Sequence, residues 1–171
     1  SWWENLKENK NRIFVSLGSS GDISLLPMIL TTLSKIDVEV IVALSGKKID
    51  LLSYENVYVT DFIPIEAAFQ KISLVICNGG SPMCHSALSW GGVPVIGIVC
   101  NNDQLLNMAH VQQRGAGLIL RYWNITEESL LAAVQQIFAN DSFRKSALSI
   151  QKEFDGFDVP SQLRNLVREN T

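Results

Sequence analysis

Residues 73–104 read SLVICNGGSPMCHSALSWGGVPVIGIVCNNDQ, and this stretch decides the fold. It contains a short apolar run at 74–77, a glycine-rich turn, a segment with helical spacing at 82–90, and a second apolar run at 93–99. An apolar strand, a helix and another apolar strand in succession predict a βαβ unit of a parallel sheet. Because both runs are apolar at nearly every position, helices are expected to cover both faces of that sheet.

The same alternation of strands and helices continues on either side of this unit. Six strands are predicted, at IFVSL, VEVIVAL, VYVTDF, SLVIC, VPVIGIV and GLIL. Helices are predicted at residues 23–35, 65–71, 82–90 and 104–113, after Thr126, after Asp141, and around residues 163–167. Thr126 and Asp141 are the expected N-caps of their helices. The predicted fold class is therefore α/β, a Rossmann-like six-stranded parallel sheet with helices on both faces, spanning residues 12–155.

Composition narrows the class of protein. The chain has 171 residues, 47% of them hydrophobic, which is enough to bury one good core. The 14 Lys and Arg residues form no cationic stripe and are outnumbered by 17 Asp and Glu, so nucleic acid is not an expected partner. No apolar run approaches the roughly 20 residues of a membrane-spanning helix, and SWWENLKENK does not resemble a signal peptide. A cytoplasmic domain is expected.

The cysteines do not predict a metal or redox site. Cys77, Cys84 and Cys100 are odd in number, lie in apolar segments and lack the CxxC spacing of metal or redox sites. They are interpreted as reduced structural thiols, and no metal is expected.

Three junctions between a strand and a helix contain polar or glycine-rich residues, at 18–22, 78–82 and 100–104. Ligands of an open parallel sheet bind where such junctions meet, outside the carboxyl ends of the strands. The double glycine at 79–80 lets the backbone approach a ligand, and the amides of Met83 and Cys84 are expected to bind an anion at the helix start. The alternative is that Ser81 is an ordinary N-cap and that the glycines only form the turn.

Residues 78–110, NGGSPMCHSALSWGGVPVIGIVCNNDQLLNMAH, resemble the C-terminal signature of the UDP-glycosyltransferases and of their bacterial relatives that glycosylate macrolides. The match includes the Gly-Gly turn, the Ala-Leu helix, the Gly-Val-Pro strand and the Asp-Gln pair. Upstream, Trp2 and Trp3 followed by RIFVSLGS look like the point where the C-terminal domain of these enzymes begins. The resemblance implies one half of a GT-B fold, with residues 1–11 as an interdomain linker and 156–171 as a helix that packs toward an N-terminal domain.

The resemblance also implies a donor-binding domain for a UDP- or TDP-sugar, which a hexosyltransferase transfers with inversion to a small acceptor. The implied diphosphate-binding residues are Ser19, Ser20, Asn78, Gly79, Gly80, Ser81 and Met83. The implied nucleoside-binding residues are Phe62, Ile63 and Ser86, and the implied sugar-binding residues are Asp103 and Gln104. Two alternatives remain, namely that Asp103 is a helix cap and that Phe62 is a core residue at a strand end.

No catalytic residue is assigned to this chain, because the general base of the family belongs to the N-terminal acceptor domain. His85 and His110 are interpreted as structural, since a base must reach the acceptor hydroxyl. Neither a cofactor nor a metal is expected, and the chain alone is expected to bind a donor without turnover.

Three residues depart from the family pattern. Asn78 replaces a histidine that contacts phosphate, Met83 replaces a small hydroxyl residue, and Ser86 replaces the glutamate that holds the ribose hydroxyls. The loss of that carboxylate suggests a donor with deoxyribose, such as a thymidine-diphosphate sugar. The turn WGGVP also carries one residue more than the usual pattern.

Other functions remain open at this point. The chain is also consistent with a stand-alone donor-binding subunit that needs a separate acceptor-domain partner, or with a degenerate domain that no longer binds a donor. A UDP-N-acetylhexosamine epimerase fits less well, because its catalytic carboxylates and histidines are not found. A dinucleotide-binding oxidoreductase fits least, because SLGSSGD lacks the G-x-G-x-x-G spacing and Glu39 is a weak match to the ribose-binding acid.

Overall fold

A six-stranded sheet with the strand order β3-β2-β1-β4-β5-β6 forms the centre of the computed structural model, which describes residues 10–18 and 20–156. All neighbouring strands pair in parallel. The strands are β1 (Arg12–Ser16), β2 (Glu39–Ala43), β3 (Val57–Thr60), β4 (Leu74–Cys77), β5 (Val95–Val99) and β6 (Gly117–Arg121). The six predicted strands and the α/β fold class are confirmed.

Helices connect the strands and follow the last one. They are α1 (Leu26–Ser34), α2 (Ile65–Ala68), α3 (Ser81–Gly91), α4 (Asn102–Gln113), α5 (Glu127–Ala139) and α6 (Ser142–Asp155). Short 3-10 helices at Ile23–Leu25, Phe69–Lys71 and Tyr122–Asn124 precede or extend them. Residues 1–9 of the predicted linker at 1–11 lie outside the described residues. So do Ser19 and residues 157–171 of the predicted C-terminal segment at 156–171, which include the predicted helix around 163–167.

The sheet is buried on both faces, as the apolar strands predict. Ile13 and Val15 of β1 face a core formed with α1 and α5. Phe14, between them, faces the opposite core with α3 and α4, where its ring meets Phe69 edge-on at 5.5 Å. Successive residues of a strand point to opposite faces, so an uninterrupted apolar strand serves both cores.

Both predicted N-cap residues are observed, but only one of them makes a side-chain capping bond. Thr126 caps α5 in a capping box with Ser129, as predicted for Thr126. Asp141 is the N-cap residue of α6, as predicted, but its side chain makes no capping bond. Asn140 supplies an acceptor there instead, because its Oδ1 receives the Ser142 amide at 3.0 Å.

The extra residue in the turn after α3 has a packing role. Gly92 ends α3 in the left-handed conformation, with φ of 54°. A Cβ at Gly92 would lie 2.8 Å from Gln151 Oε1 and 2.8 Å from Leu148 Cδ2, both on α6. At Gly91 it would lie 2.9 Å from the carbonyl oxygen of Phe69. The two glycines therefore let α3 and the segment before β4 come close, and let α6 pack on the end of α3.

A buried ion pair joins the amino ends of β1 and β2. Arg12 Nε donates to Glu39 Oε2 at 2.7 Å, and both side chains are buried. Glu39 is the first residue of β2, so it lies at the end of the sheet opposite to the one where ligands of such folds bind. Glu39 therefore cannot serve as a ribose-binding acid, and a dinucleotide-binding role loses its last support.

Substituting Gly92→Ala is expected to destabilise the domain by more than the left-handed backbone alone explains. That conformation costs about 1–2 kcal/mol in a non-glycine residue, and overpacking against α6 adds about 1–3 kcal/mol. Gly46→Ala is the matched control, because Gly46 has φ of 78° and no atom within 4 Å of an added Cβ. Urea denaturation measures both variants, and equal losses of unfolding free energy would refute the packing role.

Substituting Glu39→Gln is expected to lower the free energy of unfolding by about 3–5 kcal/mol, because it leaves the Arg12 charge buried without its carboxylate. Asp37→Asn is the control. Its partner is Lys10, at 3.0 Å, and the Asp37 side chain is 94% exposed, so the loss should stay below about 1 kcal/mol. Chemical denaturation of the two variants gives the comparison, and similar losses would contradict this account.

Candidate functional site

The chain changes direction across the sheet between β1 and β4. From β1 the chain continues to β2 on one side, whereas from β4 it continues to β5 on the other. The loops after β1 and β4 therefore diverge and leave a crevice between them, which is where open α/β sheets bind ligands. The junctions predicted at 18–22 and 78–82 are these two loops, so they meet at the switch point.

The start of α3 has no side-chain cap. Gly80, not Ser81, is the N-cap residue, so the alternative that Ser81 caps the helix is wrong. The Cys84 amide donates to the Gly80 carbonyl at 3.2 Å and is not available to a ligand, contrary to the prediction. Within the described residues, the amides of Ser81 and Met83 donate to no protein acceptor. Two unpaired backbone donors at a helix start favour an anion.

Close packing holds the turn before α3 in place. Gly79 has φ of 77°, and a Cβ there would lie 2.8 Å from Met108 Cγ and 2.9 Å from Val99 Cγ1. Asn107 Nδ2 donates to the Gly79 carbonyl at 2.7 Å. Only glycine fits this conformation and this contact, so the turn lies directly on β5 and α4.

A buried polar network joins three loops at the site. Asn78 is 6% exposed, and its Nδ2 donates to Ser20 Oγ at 2.9 Å while its Oδ1 accepts from the Gly80 amide at 3.1 Å. Gln104 is 2% exposed, and its Nε2 approaches Ser20 Oγ at 3.4 Å while its Oε1 accepts from the Cys100 amide at 2.8 Å. Because the Ser20 oxygen accepts from both amides, its own hydrogen must point elsewhere, and the exposed Ser20 can donate it to a ligand.

The structure separates the predicted pair at the start of α4. Asn101 is the N-cap, and its Oδ1 accepts from the Gln104 amide at 2.9 Å. The alternative that Asp103 caps the helix is therefore wrong. Asp103 is exposed in the first turn, whereas the Gln104 side chain is committed to the buried network. Asp103 is thus accessible to a ligand, whereas Gln104 stabilises the loops through its buried hydrogen bonds.

The predicted nucleoside residues lie on two elements. Phe62 is 78% exposed, so the alternative that it is a core residue is wrong. It follows β3, which is an edge strand separated from β1 by β2, and Thr60 Oγ1 donates to its carbonyl at 2.9 Å. Ile63 is half-buried against the core beneath α3. Ser86 lies on α3, where its hydroxyl donates to the Pro82 carbonyl at 2.9 Å.

Two side chains that the sequence did not single out hold the turn after β1. Lys47 Nζ donates to the carbonyls of Gly18 at 2.8 Å and Gly21 at 3.2 Å. Tyr122 donates its hydroxyl to Asp22 Oδ2 at 2.6 Å, which lowers the pKa of Asp22 and raises that of Tyr122. These partners come from distant parts of the chain, so no local motif predicts them.

The cysteines divide into two groups. Cys77 and Cys84 are buried beneath the 78–80 turn with their sulfurs 3.9 Å apart, and Cys84 Sγ lies 3.5 Å from Met108 Sδ. The hydrogen bond between the thiols, and then burial, raise the pKa of Cys77, while the same bond lowers the pKa of Cys84. Both fit the interpretation as structural thiols. Cys100 is exposed just after β5, so the interpretation as a structural thiol does not extend to it.

The histidines contact no part of this network. The His85 ring meets Phe154 edge-on at 4.5 Å, which fits a packing role between α3 and α6. His110 is exposed in the last turn of α4. Among residues 10–18 and 20–156, no three or more His, Cys, Asp and Glu side chains gather as metal ligands. No helix in that part of the chain is long and apolar enough to cross a membrane.

Comparison with known proteins places this geometry in a family. Residues 27–167 match the family model described as erythromycin biosynthesis protein CIII-like, C-terminal domain. The chain is 37% identical over 170 residues to a PGL/p-HBAD biosynthesis glycosyltransferase of Mycobacterium tuberculosis, covering 98% of the chain and 40% of that protein. It is 36% identical over 171 residues to a PGL/p-HBAD biosynthesis rhamnosyltransferase of Mycobacterium bovis, covering 98% of the chain and 38% of that protein.

A solved structure shows the same fold. The spinosyn rhamnosyltransferase complexed with thymidine diphosphate superposes with a TM-score of 0.80 at 19% identity, over 98% of this chain and 48% of that one. The chain spans about two fifths of the length of the curated relatives it matches. It belongs to the family of C-terminal domains like that of erythromycin biosynthesis protein CIII, which form one half of GT-B glycosyltransferases.

Proposed function

We propose that the chain is the donor-binding half of a hexosyltransferase that uses a nucleoside-diphosphate sugar and inverts the anomeric centre. The observation that carries this proposal is the uncapped start of α3, which lies at the switch point of the sheet beside Ser20. Together they offer backbone amides and a hydroxyl to a single anion.

The diphosphate occupies the start of α3 in this proposal. The amides of Ser81 and Met83, the hydroxyl of Ser20 and the positive end of an 11-residue helix all favour negative charge at that point. The same groups stabilise the departing nucleoside diphosphate, whose charge grows as the glycosidic bond breaks. They supply this stabilisation without a cofactor, and the proposal assigns none and no metal.

In this proposal, exposed side chains around the crevice bind the sugar and the base of the donor. Asp103 accepts hydrogen bonds from hexose hydroxyls, and Phe62 offers an exposed ring for the base. Ser86 carries no carboxylate, so ribose hydroxyls find there only the oxygen of a neutral hydroxyl as acceptor. A thymidine-diphosphate sugar is therefore the preferred donor. The thymidine diphosphate in the spinosyn enzyme and the rhamnosyl transfer named for the mycobacterial relative support this choice.

The acceptor and the general base belong to an N-terminal half in this proposal. The matched relatives are about two and a half times as long as the chain, which leaves room for a second domain in each of them. The described part of α3 and its loops supplies anion donors but no histidine or carboxylate bonded to the Ser20 network. The chain alone is therefore expected to bind a donor and not to transfer its sugar.

Titration of the chain with thymidine diphosphate (TDP) and with UDP tests the donor proposal. Saturable binding is expected below millimolar concentration, with TDP tighter than UDP. Ser20→Ala should weaken TDP binding about 10- to 150-fold, since one hydrogen bond to a charged group contributes about 1.5–3 kcal/mol. Ser142→Ala on the distant start of α6 is the control and should change nothing.

The outcomes separate the parts of the proposal. If neither nucleotide saturates the chain at millimolar levels, the donor-binding function is refuted. If UDP binds more tightly than TDP, the deoxyribose argument fails while donor binding stands. Isothermal calorimetry and thermal shift measure both, because a ligand of the native state raises its stability.

Phe62→Ala is expected to weaken TDP binding by about 1–3 kcal/mol, the usual contribution of a base stacked on an aromatic ring. Pyrophosphate has no base, so its affinity should not change. Leu52→Ala is the control, since Leu52 is also a highly exposed apolar side chain. Calorimetry with both ligands gives the comparison. Equal TDP affinities for Phe62→Ala and the unmodified chain would remove Phe62 from the nucleoside site.

A further inference from the structure

The turn after β1 is shaped by a lysine from the loop after β2. Lys47 Nζ donates to the carbonyls of Gly18 and Gly21, at the two ends of the glycine-rich part of that turn. Lys47 itself follows Ser45 and Gly46, which both have positive φ, so the backbone bends sharply just before it. The ammonium group therefore holds the turn that presents Ser20.

An ammonium group that binds carbonyl oxygens on one side of a turn also fixes the orientation of backbone amides on the other side. In a trans peptide the C=O and N–H groups point in opposite directions. The Gly21 carbonyl bonded to Lys47 therefore leaves the Asp22 amide directed away from the ammonium, as in the backbone concavities that bind anions. Ser20, in the same turn, bonds Asn78 at the other side of the crevice. Because β1 lies between β2 and β4, Lys47, after β2, and the start of α3, after β4, lie on opposite sides of the turn that follows β1.

A diphosphate bound beside this turn requires a positive charge nearby. Asn78, in the turn before α3, is neutral and donates across the crevice to Ser20. Asp22 lies in the same turn, and the hydrogen bond from Tyr122, with a smaller effect of Lys47, lowers its pKa and keeps it ionised. A carboxylate so close to a bound diphosphate is repulsive. The Lys47 ammonium, which is bonded to the same turn and lowers the pKa of Asp22, offsets part of that repulsion.

We propose that Lys47 is a positioning residue of the donor site, which fixes the turn at 18–22 and supplies the positive charge that Asn78 does not. This inference rests on the proposed function, because it concerns the same diphosphate. It assigns to Lys47 no direct contact with the donor.

Charge removal at two neighbouring lysines tests the inference. Lys47→Met keeps most of the side-chain volume without the charge, Lys47→Arg keeps the charge, and Lys48→Met removes an exposed charge one residue away. The chain and each variant are titrated with TDP and with thymidine monophosphate (TMP) at two salt concentrations. Thermal unfolding of each variant reports whether the domain stays folded.

The expected result is a 10- to 100-fold loss of TDP affinity for Lys47→Met (about 1.4–2.7 kcal/mol). The loss should be smaller for TMP, and the salt dependence of TDP binding should be weaker. Lys47→Arg should recover most of the affinity, and Lys48→Met should bind TDP within about twofold of the unmodified chain.

Each other outcome overturns the inference in a distinguishable way. If the unmodified chain binds TDP and Lys47→Met binds it equally well, Lys47 has no role and the donor function stands. If Lys47→Met and Lys48→Met lose affinity alike, only the overall charge matters. If Lys47→Met loses TDP and TMP equally with unchanged salt dependence, or fails to fold while Lys47→Arg does not restore binding, its role is structural. If the unmodified chain binds neither nucleotide, the donor function itself fails.

Discussion

The unpaired amides at the start of α3 are the constraint on which the site depends. Backbone donors at a helix start are normally satisfied by a side-chain cap, and the 126–129 capping box of α5 shows that this chain can build one. At α3 the N-cap is Gly80, which has no side chain to offer. The sheet then places this bare start at its switch point, opposite the turn that carries Ser20. A helix start that is left without a cap at the ligand-binding edge lowers local stability and is consistent with a site that an anion completes.

Sequence reasoning reached the fold and the main loops because both depend on local pattern. Uninterrupted apolar runs such as 74–77 predict buried parallel strands, and glycine pairs such as 79–80 predict turns with an open backbone. It failed where one residue competes with its neighbours for a backbone donor. The capping acceptors Asn101 and Asn140 were not identified, because a shift of one or two positions decides which side chain reaches the first free amide.

The contacts of Lys47 and Tyr122 were beyond prediction for a different reason. Each crosses from one loop to another, over 26 to 29 residues for Lys47 and 100 for Tyr122. Such contacts depend on which strands become neighbours and on how far each loop extends past the sheet. How far a loop extends past the sheet is determined only by the packing of the whole domain, so no local stretch of the sequence reveals it. The role of Gln104 was missed on the same ground, since its burial follows from the approach of the loop after β1.

The departures from the family pattern become consistent once burial is considered. The position of Asn78 is 6% exposed, and a charged side chain there would be costly to bury without a permanent partner. An amide serves the two ends of the network at once, because it donates to Ser20 and accepts from Gly80. The positive charge is then supplied by the ammonium group of Lys47, which lies outside the crevice, where water reduces the cost of the charge. In the proposed site the two tasks are separate, since the buried side-chain amides of Asn78 and Gln104 fix the geometry while the partly buried Lys47 supplies the positive charge.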